Sequence, residues 1–189
     1  YSRASIGPIA EMLGELKARD GVVAVLGNHD FRVGAIAIET ALRQRGIEVL
    51  RNRHTVLRKG GAVLPIAGVD DYYYGADPNR AMAGIPKGLP TVLLAHNPRQ
   101  LETLSGHDVG LVLSGHTHGG QVNLPLLGSI YGRSPEQLRY KIGWDRMGDT
   151  QIYVSRGIGT IVLPWRLRCP AEMPWFELLP HHDQNRTTH

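Results

Sequence analysis

The chain has 189 residues, 42% of them hydrophobic, 20% charged and 6% aromatic, which allows one domain with a packed core and excludes a disordered, collagen-like or coiled-coil chain. Twenty-one Lys and Arg against seventeen Asp and Glu give a net charge of +4; interspersed acids and few aromatics leave no strong nucleic-acid signal. No apolar run reaches the ~20 residues a membrane-spanning helix needs.

The predicted elements alternate between helical and extended patterns. Ile6, Ile9, Ala10, Leu13 and Leu16 recur at helical spacing, with Ser5 as N-cap and Pro8 in the first turns. Residues 22–26 are apolar throughout and stop at Gly27, the pattern of a strand buried on both faces. A helix over about 34–45 closes at Gly46, and a short strand follows over 48–50. Strands are expected over 54–58, 62–68 and 91–95, the first two joined by a Lys-Gly-Gly turn. Residues 70–90 read as a loop holding Tyr72, Tyr73 and Tyr74, 98–104 as a short helix, 109–113 as a buried strand, 125–148 as a second loop and 151–155 as a last strand. Residues 1–179 form one α/β domain without repeats. The polar segment 180–189, with three His, reads as a flexible tail and not as a metal site. Arg43, Arg45, Arg51, Arg53, Arg58 and Lys59 cluster loosely and read as a solvated helix end and hairpin in preference to an anion-binding patch. Cys169 is the single cysteine, without a partner for a disulfide or a C-x-x-C metal pair, and reads as a structural thiol.

The chemistry lies behind the strands. Gly27-Asn28-His29-Asp30, Ala95-His96-Asn97-Pro98 and Gly115-His116-Thr117-His118-Gly119-Gly120 each follow an expected strand, and Gly68-Val69-Asp70-Asp71 does so with less weight. In α/β sheets, side chains at the carboxyl ends of strands converge although they are distant in sequence. Mixed imidazole and oxygen donors suit Mn, Fe or Zn better than Ca or Mg. Each segment alone has a plainer reading, as a turn, a hydrogen-bonded core histidine or a glycine-rich loop; three together in one short chain favour a metal site.

The segments Val-Leu-Gly27-Asn28-His29-Asp30, Leu-Ala-His96-Asn97-Pro98 and Ser-Gly115-His116-Thr117-His118-Gly119-Gly120-Gln121 resemble the third, fourth and fifth signature blocks of the calcineurin-like metallophosphoesterases. With Tyr153-Val-Ser-Arg-Gly-Ile-Gly159, the flavour is that of a bacterial subgroup acting at or near membranes, some of whose members cleave the pyrophosphate of a nucleotide-linked lipid precursor. The likeness runs from about residue 24 to 159. It implies an α/β, four-layer β-sandwich flanked by helices and two divalent metal ions. Asn28, His96 and His116 would ligate one ion and His118 the other. His29 would stand beside the scissile phosphate as electrostatic stabiliser or general acid, with Asp30 orienting it. The implied reaction is hydrolysis of a phosphoric ester or pyrophosphate by a metal-bound hydroxide, without a covalent intermediate. A cytoplasmic or membrane-associated place in a bacterium goes with that subgroup.

The first two blocks of the family, an Asp-x-His and a Gly-Asp-x-x-Asp that supplies the bridging carboxylate, are not found among these residues. The simplest expectation is that they, and the first strands of the sandwich, lie upstream of Tyr1. These 189 residues alone are then expected to hold two dications weakly, to show little phosphodiesterase activity with Mn and to expose a sheet edge. Two other readings stand beside the hydrolase: an inert binding or scaffold module that keeps the fold, and a nuclease of the same superfamily with a basic groove and stacking aromatics. The expected partner is a phosphorylated small-molecule or lipid-linked substrate. The sequence does not choose between a lipid-linked pyrophosphate, a nucleotide diester and a phosphoprotein. Loops 70–90 and 125–148 are candidates for the pocket rim, and Arg32, Arg133 and Arg156 for phosphate-binding forks, each set against a plain surface role. Trp165, Trp175, Leu163 and Leu167 would give peripheral membrane contact if exposed, with packing against the sheet as the default.

Overall fold

The computed structural model describes residues 2–126, 128–129 and 139–179; the tail 180–189 and Arg133 lie outside the described residues. Helix α1 (Ile6–Leu13) ends at Gly14, one turn earlier than its apolar spacing suggests. Strand β1 (Val22–Ala24), helix α2 (Asn28–Val33), helix α3 (Ala35–Gln44) and strand β2 (Ile47–Val49) follow. Strands β1 and β2 pair in parallel, Val22 opposite Ile47. Strands β3 (Arg53–Lys59) and β4 (Ala62–Gly68) form an antiparallel hairpin. Its turn puts Gly60 and Gly61 at φ 55° and 83°, the left-handed pair that matches the twist of a two-residue hairpin. Helix α4 (Pro78–Ala81), strand β5 (Thr91–Leu94), a 3-10 segment (Pro98–Thr103) and strand β6 (Val109–Ser114) come next. The ribbon β7 (Asn123–Leu124) with β8 (Gly128–Ser129), then β9 (Gly143–Met147) and β10 (Thr150–Val154), complete the order.

The main sheet has six strands in the order β3-β4-β5-β6-β10-β9. Strands β4, β5, β6 and β10 run parallel to one another, with β3 and β9 antiparallel at the two edges. The two-residue period of the strands sorts their side chains into layers. Leu64 and Ile66 of β4, Val92 and Leu94 of β5, and Leu111 and Leu113 of β6 pack with Val23 and Val25 from the β1 segment. The alternate residues Ala67, Leu93, Val112, Ile152 and Val154 face the other way, onto Leu101 of the 3-10 segment, Leu104 just after it and Ala81 of α4. On the far side of β1 and β2, Val22, Ala24, Leu26, Ile47 and Val49 pack against Ala10 and Leu13 of α1 and Ile38 and Leu42 of α3. Helices, small sheet, large sheet and short helices therefore stack as four layers, a mixed α/β sandwich.

Strand β1 is half-buried along its length instead of buried on both faces, because β2 borders it on one side only among the described strands. Its inner face lies close to the large sheet. A Cβ on Gly68 would stand 2.8 Å from Val25 Cγ1 and collide with Leu50, so glycine at that position lets the sheets meet. Two expected loops carry structure. Within 70–90, Asp77 caps α4, its carboxylate accepting the Arg80 N–H at 3.0 Å with Pro78 at the first helical position. Within 125–148 lies β9, hidden from periodicity because four of its five residues, Trp144 to Met147, are exposed. The basic cluster is largely neutralised locally: Arg43 pairs with Glu39 at 2.9 Å, Arg53 with Glu48 at 2.9 Å and Arg51 with Asp70 at 2.9 Å. No helix among the described residues is long and apolar enough to cross a membrane.

Candidate metal centre

The turn after β1 is built by its own acid. Gly27 is the N-cap of α2 and donates its N–H to Asp30 Oδ2 at 2.7 Å, while Asp30 N–H donates to the Gly27 carbonyl at 2.9 Å. This reciprocal bonding fixes Asn28 and His29 at the start of the helix. Asp30 thus holds the backbone of the turn that carries His29. Burial pushes the Asp30 carboxyl above its ordinary range, partly offset by the Gly27 N–H.

His96 and His116 come from the ends of adjacent parallel strands. Ala95 N–H bonds the Leu113 carbonyl at 3.1 Å and Gly115 N–H bonds the His96 carbonyl at 3.1 Å, so pairing carries on past β5 and β6 and places the two histidines together. Their rings meet edge-to-face at 4.9 Å between centroids. His96 Nε2 lies 3.2 Å from Asn28 Oδ1 and 3.1 Å from His116 Nδ1. A single proton on Nε2 cannot point along both lines, whereas a cation would satisfy all three lone pairs. With ligand bonds of about 2.1 Å, neighbouring donors stand about 3.0 Å apart at right angles and about 3.4 Å apart at tetrahedral angles, which brackets the observed spacing. The donor set fits a divalent transition metal ion at this one position.

Burial, followed by the neighbouring His116 and His118, lowers the His96 pKa to about 3, so His96 is neutral at physiological pH, the form that ligates metals. Its folded value lies below the unfolded 6.5, and the unfolded chain therefore takes up the proton first as pH falls. The stabilising contribution is complete above pH 6.5 and is lost progressively towards pH 3. In metal-free protein, His96 alone is expected to cost about 2 kcal/mol between pH 7.5 and 5. The raised pKa values of Asp30 and Asp71 run in the opposite sense. Denaturant midpoints of wild type and His96→Gln across that range isolate the effect, and parallel curves would refute it.

His118 does not join this triad. The loop carrying it turns through left-handed backbone at His116 (φ 68°), His118 (φ 50°), Gly119 (φ 60°), Gly120 (φ 78°) and Gln121 (φ 45°), a costly run that persists only when its surroundings hold it. Thr117 Oγ1 donates to the Lys141 carbonyl at 2.7 Å. Cys169 Sγ donates to the His118 carbonyl at 3.2 Å, and Arg166 Nη1 to the same oxygen at 3.2 Å, which gives Cys169 a structural role. Burial and then Arg166 lower the His118 pKa, with the Gly159 carbonyl opposing. Among the described residues no three His, Cys, Asp or Glu side chains group as a metal site; the converging set is two imidazoles and an amide oxygen.

His29 borders an apolar cavity of about 470 Å³ lined by Ile6, Ile9, Leu13, Leu26, Val33 and Ile38. Burial and then Arg32 lower its pKa. Arg32 Nε donates to the Tyr74 hydroxyl at 3.3 Å, and Tyr74 stacks on Phe31 at 5.0 Å, tying the tyrosine loop to α2. Tyr72 lies under Arg99, 4.9 Å from the guanidinium. Arg156 is held by Glu172, with N···O distances of 2.6 and 2.7 Å, so its fork is already filled. Trp165 and Trp175 are exposed, at 48% and 86%, as is Leu167, while Leu163 is half-buried; the packing expected by default does not cover the tryptophans. Asp71, given little weight in the sequence, is fully buried behind β4.

A family model for calcineurin-like phosphoesterases matches residues 2–120. The phosphodiesterase YaeI of Escherichia coli is 33% identical over 175 residues, covering 90% of this chain and 63% of that protein. The uncharacterized metallophosphoesterase YkuE of Bacillus subtilis is 34% identical over 173 residues, covering 90% and 60%. The chain spans under two thirds of the length of these relatives. Among solved structures, the sulfate thiohydrolase SoxB of Thermus thermophilus aligns with a TM-score of 0.49 and 19% identity, over 70% of this chain and 27% of that one. On the family match, which takes in Asn28, His96, His116 and His118, the chain belongs to the calcineurin-like phosphoesterases.

Proposed function

We propose that the protein is a divalent-metal-dependent phosphodiesterase, with Mn as the first candidate ion. The observation that carries this reading is the position of His96 Nε2, 3.2 Å from Asn28 Oδ1 and 3.1 Å from His116 Nδ1, where the carboxyl ends of three separate strands meet and with His96 itself neutral. Divalent ions held in such a centre would lower the pKa of water and neutralise phosphoryl oxygens. In this reading Asn28, His96 and His116 hold one ion and His118 contributes to the second. His29, kept neutral by its depressed pKa, donates an N–H to the leaving oxygen, and Asp30 fixes its position by closing the turn on Gly27. Arg32, beside His29, offers charge to a non-bridging oxygen.

Titration of the metal-free chain with Mn2+ is expected to show saturable binding that Asn28→Ala, His96→Ala and His116→Ala each abolish. Binding that survives all three substitutions would remove the basis of the proposal. Mn2+-dependent cleavage of a bis-aryl phosphate in preference to an aryl monophosphate, lost in His116→Ala, separates a diesterase from an inert module that binds metal without turnover. Assays with a nucleotide-diphosphate lipid, a nucleotide diester and a phosphopeptide then sort the substrate class. The cavity beside His29 is the reason for including the lipid.

A further inference from the structure

The two adjacent acids behind β4 have separate fates. Asp70 is bound by Arg51 through two contacts of 2.9 Å, and its N–H donates to Asn52 Oδ1 at 3.0 Å. Asp71, 0% exposed, accepts the Tyr73 N–H at Oδ1 at 3.1 Å, while its Oδ2 is buried without a hydrogen-bond partner. These are the two acids among the buried polar residues described, and Asp71 is the one without an ion pair. Strand β4 lies next to β5, and β5 next to β6, so the segment after β4 emerges at the same sheet edge as His96 and His116. The Asp71 carboxylate acts electrostatically on His116, on the Asn28 N–H, on Arg32 and on His29.

A turn-forming aspartate needs one oxygen, and Oδ1 fills that role here. Burying the second oxygen unpaired is costly, by more than a neutral group would be, unless positive charge is brought to it. Asn28, His96 and His116 are all neutral donors, so a buried carboxylate at the same end of the sheet adds negative charge that favours a dication held by them. We propose that Asp71 is a positioning residue of the metal centre, its unpartnered carboxylate oxygen stabilising His116 and the cation that His116 holds, an inference that rests on reading the triad as a metal site.

The test is metal affinity set against metal-free stability. Asp71→Asn keeps the acceptor for Tyr73 and removes the charge. It is expected to bind Co2+ or Mn2+ with wild-type stoichiometry but 10- to 100-fold more weakly by calorimetry, while the melting temperature of the metal-free protein stays level or rises. Unchanged affinity with a lowered metal-free melting temperature would reduce Asp71 to a turn residue and overturn the proposal. If Asp71→Asn does not fold, Asp71→Glu keeps the charge while shifting the turn: affinity within threefold of wild type supports the proposal, and a 10-fold loss overturns it. His96→Ala, measured alongside, reports on the underlying site: if it binds metal like wild type, the metal reading itself is wrong, whatever Asp71 does.

Discussion

Replacing Gly27 by alanine is expected to abolish metal binding by the triad, although residue 27 contributes no ligand. The His96 imidazole lies flat against the Gly27 backbone, and a Cβ there would stand 2.7 Å from His96 Cε1 and Nδ1 and 2.8 Å from Cδ2. Such distances are not tolerated, so the ring must move, and the same ring carries the Nε2 that meets both Asn28 and His116. Displacing it by even ~1 Å breaks a three-donor geometry that a metal requires within a few tenths of an ångström. Overpacking a buried site also costs about 1–3 kcal/mol of stability. The expected result is at least a 100-fold loss in Mn2+ affinity together with a lowered melting temperature. Gly115 provides an internal control, since a Cβ there meets nothing within 4 Å, and Gly115→Ala is expected to bind Mn2+ within a few-fold of wild type. Wild-type affinity in Gly27→Ala would show that the triad does not depend on the ring position described above.

The convergence of Asn28, His96 and His116 was legible because each follows an apolar run that becomes a strand, and strand ends in a mostly parallel sheet point one way. The α/β class was legible from the alternation of helical and extended patterns, whereas the layers came only with the family resemblance: an apolar run does not say which faces a strand buries, and β1, within the run over 22–26, is half-buried. Strand β9 was not legible, because an edge strand with Trp144, Asp145 and Arg146 exposed owes its conformation to pairing with β10. Nor does any local pattern tell Asp70 from Asp71. Arg51, nineteen residues earlier, claims the first, and packing buries the second. Helix α2 escaped because Gly-Asn-His-Asp has the composition of a turn; the structure makes it an N-cap followed by a helix of six residues. His118 stands two residues from His116, yet its setting is determined by residues near 166 and 169, which no spacing rule connects to it.

Those distant residues are held by Gln121, and exchanging its amide for a carboxylate is expected to be more damaging than removing it. Gln121 is 0% exposed. Its Nε2 donates to the carbonyls of Ile161, Leu163 and Trp165 at 3.0, 2.9 and 3.1 Å, and its Oε1 accepts the Ile161 N–H at 2.7 Å. One amide therefore gathers the 161–165 segment over the loop that bears His118, and in the backbone Leu167 N–H donates to the Gln121 carbonyl and Asn123 N–H to the Leu167 carbonyl, both at 3.0 Å. Gln121→Leu keeps much of the volume and loses the hydrogen bonds, leaving half-buried carbonyls that water partly satisfies, for a cost of about 2–4 kcal/mol. Gln121→Glu keeps the shape and the acceptor for Ile161, but it turns an oxygen towards three carbonyl oxygens and buries a charge, so it should cost more than leucine at neutral pH despite being the closer isostere. It should recover towards the leucine value as pH falls and the carboxyl protonates. Denaturant midpoints give the ranking, and limited proteolysis within 155–169 shows whether the segment has been released. A Glu variant as stable as wild type at pH 8 would mean that the amide is not the clip that holds the His118 loop in its left-handed conformation.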